Sequence, residues 1–435
     1  MYFQCVAIII KHSFHMKQES VVLLVVFAAF IGISAANNCG FFPPRIPVLV
    51  SKFANASDLV WVTDGSNYDD DEVIHQLLKS PAINLRAIVI TNNAWSNIGA
   101  AIRHFRNVLA MYGREDIPVY GGSHFALQDE LDAAASGLPP VQRYRSPIPP
   151  GSGAIYWADI MYGQGSYLPQ SKVVQKLNDI VEDYQTIPAI VALINSLPGS
   201  RKMTILSTGT LTPLAKLFDA SVSGLKNEGA VRSLMNRIEK LHIMGGAVYV
   251  GGNLYTMPNT NPNAEFNIFN DPLGAKYAIG NFSRYGVPVT LVPLDATAFA
   301  PITPAFLQQL AAYCITPECQ LIANMSIDFQ SNYYDPSAFY SEIFIWDATA
   351  TQILINPQLI TGQKQIKLKV VANQGFDGAL QGATRECTPA EAAVAGECAN
   401  VNVITSVDGA AVRNAFFALI NSPINSAVRG LVCPF

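Results

Sequence analysis

The run Leu59-Val-Trp-Val-Thr63 breaks without a spacer into Asp64-Gly-Ser-Asn67-Tyr-Asp69-Asp70-Asp71-Glu72, and that junction limits what the chain can fold into. An apolar, β-rich stretch gives way to five carboxylates, with Gly65, Ser66 and Asn67 supplying the turn. Val73, Ile74, Leu77 and Leu78 then recur on one helical face. A strand that hands over to a helix through a polar turn marks the carboxyl edge of an open α/β sheet, where ligands bind. Clustered carboxylates repel one another, and a hard divalent cation with oxygen ligands relieves the repulsion; Ca²⁺ suits this donor set. The plainer reading of the same residues is a solvated acidic turn at the positive end of a helix. An EF-hand is excluded, because the sixth residue counted from Asp64 is Asp69 and not Gly.

Strand and helix patterns alternate downstream. Residues 87–91 form a continuous apolar run of buried parallel-strand type. Ile98, Ala101, Ile102, Phe105, Leu109 and Tyr112 follow at helical spacing, and residues 117–120 start another strand, completing a βαβ unit. Residues 129–155, rich in Pro, Ala and Gly, read as a surface excursion. A helix over 188–197 precedes strands at 203–207, 241–244 and 289–294; Thr208-Gly-Thr-Leu-Thr-Pro213 is a second polar strand end. Residues 300–345 read as helical, with an Asn/Tyr/Ser/Asp interruption at 328–335 suited to a mobile lid. Strand 400–404 and helix 412–420 close the chain. The alternation specifies an α/β fold, one doubly wound, mostly parallel sheet flanked by helices, over residues 37–435.

At 435 residues, half of them apolar and 14% charged, the chain can bury a large core. Its net charge of −4, with no basic block, argues against nucleic acid as a partner. Residues 1–36 have a basic start at Met16-Lys17, an apolar stretch at 21–33 and small residues at Ser34-Ala35-Ala36, the pattern of a secretory signal peptide. Translation from Met16 and retention as an N-terminal anchor are the alternatives; the apolar run is short for a stable span. Removing the segment takes Cys5 and leaves Cys39, Cys314, Cys319, Cys387, Cys398 and Cys433, an even set that suggests disulfides in a secreted chain. Cys314/Cys319 and Cys387/Cys398 would close small loops and Cys39/Cys433 would tie the termini, with connectivity left open. Sequons at Asn55, Asn281 and Asn324 are compatible with a glycoprotein. His75, His104 and His124 read as surface or cap residues.

An ordered set of stretches resembles the nucleoside hydrolase family, the inosine–uridine-preferring hydrolases and their relatives, from about Asp58 to about Ile420. The set comprises Asp64…Asp69-Asp70, Ile117-Pro-Val-Tyr-Gly-Gly122, Thr208-Gly-Thr-Leu-Thr212, His242-Ile-Met-Gly-Gly-Ala-Val248, Gly252-Asn253, Ala264-Glu-Phe-Asn-Ile268, Asp271-Pro272 and Gly382-Ala-Thr-Arg385. The resemblance implies Ca²⁺-dependent hydrolysis of the N-glycosidic bond of a small-molecule nucleoside, and is compatible with a homo-oligomer. It implies Asp64, Asp69, Asp70, the Thr208 carbonyl and Asp347 as ion ligands, with Asp64 also the base toward water. Asn67, Asn253, Glu265 and Asn267, beside Phe266, would hold the ribose, with Met244 beneath the sugar. The family has an Asp at the position of Val62, and the acidic loop here is one residue longer, so the pair can be Asp69/Asp70 or Asp70/Asp71; the register that ends the helix at Ser80-Pro81 favours the first. The interval from Asn253 to Glu265 is also longer than the family's. Where the inosine–uridine subgroup has a proton-donating His before the helix Asp, this chain has Trp346. With Tyr156 or Trp157 as a second aromatic, that looks like the purine-specific inosine–adenosine–guanosine-preferring subgroup, in which indoles sandwich the base. A non-catalytic nucleoside-binding protein that keeps the fold, or a broad or pyrimidine-preferring hydrolase, are the alternatives.

Overall fold

Nine strands join in one sheet in the order β3-β2-β1-β4-β5-β6-β9-β7-β8. They are β1 (Ser57–Thr63), β2 (Ile83–Ile90), β3 (Val119–Gly121), β4 (Met203–Ser207), β5 (Ile238–Met244), β6 (Val289–Val292), β7 (Ile360–Val370), β8 (Thr384–Glu386) and β9 (Ala399–Val407). The computed structural model describes residues 56–65, 68–91, 98–141, 183–254, 261–333 and 343–423. Pairing from β3 through β6 to β9 is parallel, and β7 runs antiparallel to both β8 and β9. This is the doubly wound, mostly parallel α/β architecture that the apolar runs specify.

The parallel strands are buried because helices cover both faces. β4 is fully buried, and β1 is buried from Asp58 onward. Val62, at the position where the related family has an Asp, lies wholly inside one core cluster. At the foot of β1, Asp58 accepts from Arg201 at 2.6 Å and Arg86 at 3.1 Å, which ties β1 to its neighbours. The chain leaves β1 toward β3 on one side and returns to β4 on the other. The order therefore reverses between β1 and β4, and the carboxyl ends of those two strands form the switch-point crevice.

Some elements depart from expectation. A helix, Leu127–Ser136, occupies the start of the presumed surface excursion, and its polar face hid its period. β7 went unread because its polar and charged residues outnumber the inward set Ile366, Leu368 and Val370. The helical stretch over 300–345 resolves into Pro304–Tyr313 and Pro317–Tyr333. Of the expected lid at 328–335, residues 328–333 continue the second of these helices, and 334–335 lie outside the described residues. Cys314–Cys319 and Cys387–Cys398 are disulfides; Cys39 and Cys433 lie outside the described residues. No helix among the described residues is long and apolar enough to cross a membrane.

Candidate active site

Strand β1 ends at Thr63, and Gly65, at φ 70°, turns the chain into a helix over Tyr68–Lys79. The acids therefore fill the first helical turn, where their charge faces the positive end of the helix. Asp70 accepts from the Thr63 hydroxyl and, at 3.3 Å, from the Gly65 N–H, so its carboxylate is folded back over the end of β1. Asp71 points elsewhere. Both of its oxygens lie 2.8 Å from His104 Nε2, and both side chains are fully buried.

The end of β4 meets the end of β1 closely. A Cβ on Gly209 would stand 2.5 Å from the Asp64 nitrogen, so only glycine permits the approach. Trp61 Nε1 donates to the Thr208 hydroxyl at 2.9 Å, and that hydroxyl is bonded to the Asp347 carboxylate. Asp347 sits in the first turn of a buried helix, Trp346–Ile355, packed against the acidic helix. Burial pushes its carboxyl well above the usual range, and Asp69, Asp70 and Asp64 push it further. Asp69 is raised for the same reasons, burial first and Asp70 second. Glu72, fully buried, has neither oxygen hydrogen-bonded among the described residues. Four carboxylates from three segments thus share one field. Among the described residues, no three His, Cys, Asp or Glu side chains form a ready-made metal cage.

The residues expected at the sugar gather at the end of β5. Asn267 Nδ2 donates to the Met244 carbonyl at 3.3 Å and reaches the Thr208 carbonyl at 3.5 Å. Glu265 caps the short helix Phe266–Phe269: it accepts from the N–H groups of Asn267 at 2.9 Å, Ile268 at 3.2 Å and, across the crevice, Gly246 at 2.8 Å. Burial outweighs those bonds and lifts its carboxyl to about 7. Glu265 is therefore a clamp between two loops before it is a ligand group. Asn253 accepts from the Phe266 N–H at 2.9 Å, so the long interval before Glu265 does not remove it from the site. Trp346 is buried in a cluster with Met244 and Tyr68, and its ring lies 5.8 Å from that of Phe344. Asn67, Tyr156 and Trp157 lie outside the described residues.

Reading His75 and His104 as surface or cap residues was wrong. Both are fully buried: His104 holds Asp71, and His75 Nδ1 meets the Tyr112 hydroxyl at 2.7 Å. Their signal was in the pattern, since His104 lies three residues after Ala101 on an apolar helix face and His75 lies four after Asp71. His124 is exposed, as expected. Asp295 was also missed; it accepts from the N–H groups of Val248 and Tyr249, at 2.9 and 2.8 Å, and fixes the loop after β5.

A family model described as inosine-uridine preferring nucleoside hydrolase matches residues 60–414. Nucleoside hydrolase 3 of Arabidopsis thaliana is 28% identical over 73% of this chain and 37% of its own length. Nucleoside hydrolase 4 of the same plant is 32% identical over 59% of this chain and 46% of its own length. The chain thus spans less than half of either relative. Among solved structures, a purine-preferring ribonucleoside hydrolase from Gardnerella vaginalis aligns with a TM-score of 0.60 at 21% identity, covering 84% of this chain and 98% of its own. An inosine–uridine-preferring nucleoside hydrolase from Bacillus anthracis aligns at 0.59 and 19%, covering 84% and 99%. At these identities the structural likeness speaks to the fold.

Proposed function

Because the chain belongs to the inosine-uridine preferring nucleoside hydrolase family, we propose that it is a secreted nucleoside N-ribohydrolase that requires Ca²⁺ and favours purine nucleosides. The observation that carries this reading is the meeting of Asp64, Asp69, Asp70 and Asp347 at the β1/β4 switch point, beside Asn267 and Met244.

The donor set fits a hard cation. Buried carboxylates that raise one another, with an orphaned Glu72 beside them, call for positive charge. Asp64, Asp69, Asp70, Asp347 and the Thr208 carbonyl would hold it. The ion would supply electrostatic stabilisation and a lowered pKa for a nearby water.

The chain's own residues do the rest. Asp64 orients the attacking water toward C1′ and accepts its proton. Asn67, Asn253 and Asn267 hold the ribose hydroxyls, and Met244 lies beneath the ring. Fixing the sugar against the nucleophile lowers the barrier to an oxocarbenium-like transition state. Trp346 stacks on the base and keeps water from it, so a purine leaves protonated without a side-chain acid. A secretory route is supported by the signal-like residues 1–36 and by two disulfides, which persist in oxidising compartments.

Ribose release from inosine and uridine, with and without a chelator, tests the reading. Turnover that is lost on chelation and is faster for inosine supports it. A folded, Ca²⁺-loaded protein that releases ribose from neither substrate sinks it, and a preference for uridine sinks the purine assignment. Asp64→Asn should lose at least about a thousandfold in turnover while remaining folded.

A further inference from the structure

Tyr68 lies one residue before the ion-binding acids, yet its side chain does not serve them. It is almost fully buried, at 1% exposure, in the cluster that holds Met244 and Trp346. Its hydroxyl donates to the Phe344 carbonyl at 3.0 Å, across 276 residues of chain. Phe344 in turn places its ring 5.8 Å from Trp346, tilted by 49°. Its segment is pinned on the other side, where Ile302 N–H donates to the Ile343 carbonyl at 2.8 Å and Ile345 N–H to the Ala300 carbonyl at 3.2 Å.

We propose that Tyr68 is a positioning residue for base recognition: it latches the Phe344–Trp346 aromatic wall to the first turn of the acidic helix, and Phe344 is a second specificity-determining ring. The proposal rests on the purine-stacking reading above and names which residues set the wall. The physical case is one of direction. A residue in the first turn of the acidic helix moves with Asp69 and Asp70, whereas Trp346 moves with Asp347. The Gln352 amide donates to Gln76 at 2.7 Å two turns further along the same pair of helices, and much of the remaining contact is apolar packing, which is non-directional. The Tyr68 hydroxyl adds a directional bond at the start of the two segments, in a partly buried setting where removing the donor costs the Phe344 carbonyl its side-chain partner. The latch therefore joins the angle of the base wall to the place of the cation site.

Tyr68→Phe keeps the ring and removes the bond. The expected result is a fall of roughly five- to tenfold in the inosine-to-uridine ratio of kcat/KM, carried by KM for inosine, with kcat for an aryl riboside of good leaving group unchanged within about twofold. Phe344→Leu should lower the same ratio, and the double variant should lose no more than the larger single effect, because both act on one wall. A parallel titration follows quenching of tryptophan emission by inosine. A parent that binds inosine but releases no ribose overturns the hydrolase reading and leaves the latch to be judged by that quenching. An unchanged ratio and unchanged quenching in Tyr68→Phe overturn the latch. So does an equal loss of kcat on every substrate, which is what mere structural damage would give. A parent that binds no purine nucleoside overturns both.

Discussion

Asp71→Asn separates the acids proposed to hold the ion from the one that serves the core. The side chain keeps its size but loses its charge and one of the two oxygens that His104 Nε2 meets at 2.8 Å. Both partners are fully shielded from water, so no solvent replaces the lost bond. Breaking a buried pair of this kind costs about 3–5 kcal/mol, and the amide oxygen that remains keeps the loss near the lower end, about 3 kcal/mol. For a chain of this size that corresponds to a fall of roughly 3 to 4 °C in Tm. The assay is thermal unfolding in chelator and in saturating Ca²⁺. Chelated Asp71→Asn should melt lower by that amount, while the rise in Tm on adding Ca²⁺ should match that of the parent. Asp69→Asn should show the reverse, with little change in chelator and no Ca²⁺ increment. His104→Ala combined with Asp71→Asn should cost less than the sum of the two, since they share one interaction. If Asp71→Asn instead abolishes the Ca²⁺ increment and leaves the chelated Tm unchanged, the acidic pair is Asp70/Asp71 and the assignment drawn from His104 is wrong.

Gly209→Ala sets a methyl group 2.5 Å from the Asp64 nitrogen, and backbone on both sides cannot yield; a destabilisation of about 2–3 kcal/mol and a weakened Ca²⁺ increment are expected in the same melting assay, and a parent-like melt would refute the close approach. Glu265→Gln tests the raised carboxyl. An acid lifted from 4.5 to about 7 on folding holds its proton longer in the native state, so parent stability falls by on the order of 3 kcal/mol between about pH 4.5 and 7. The variant lacks that fall, so denaturant titrations across the range should show the parent losing stability relative to the variant as pH rises; parallel curves would refute it. Trp346→His should shift the inosine-to-uridine ratio toward uridine by about tenfold in competition assays, and an unchanged ratio would remove Trp346 from base recognition.

What was legible followed from one-dimensional pattern. The runs at 59–63, 87–91 and 203–207 announce strands because a parallel sheet is covered on both faces and leaves no polar side. The polar residues at their ends, Asp64 and Thr208, were legible as candidate site residues for the same reason. Asp71 was not, because its neighbours in sequence are acids and its partner sits on another helix. Only the rotation of the helix turns Asp71 toward His104 and Asp70 toward Thr63. Glu265 was legible as a candidate site acid but not as a clamp, since its three N–H donors come from two separate loops. β7 escaped because an outer strand with one wet face resembles a charged loop in composition.

The acidic helix has partners far away in the chain. Gln76 pairs with Gln352, and Tyr68 with Phe344, each 276 residues later. On a ribosome adding about 5–20 residues each second, the helix waits roughly 15–55 s between its own emergence and that of the segment that covers it. During that interval its apolar face, and until β4 emerges the free edge of β1, are open to other chains. Yield from a recombinant host should therefore depend on translation speed and on chaperones that shield the nascent N-terminal third, well before any nucleoside is present.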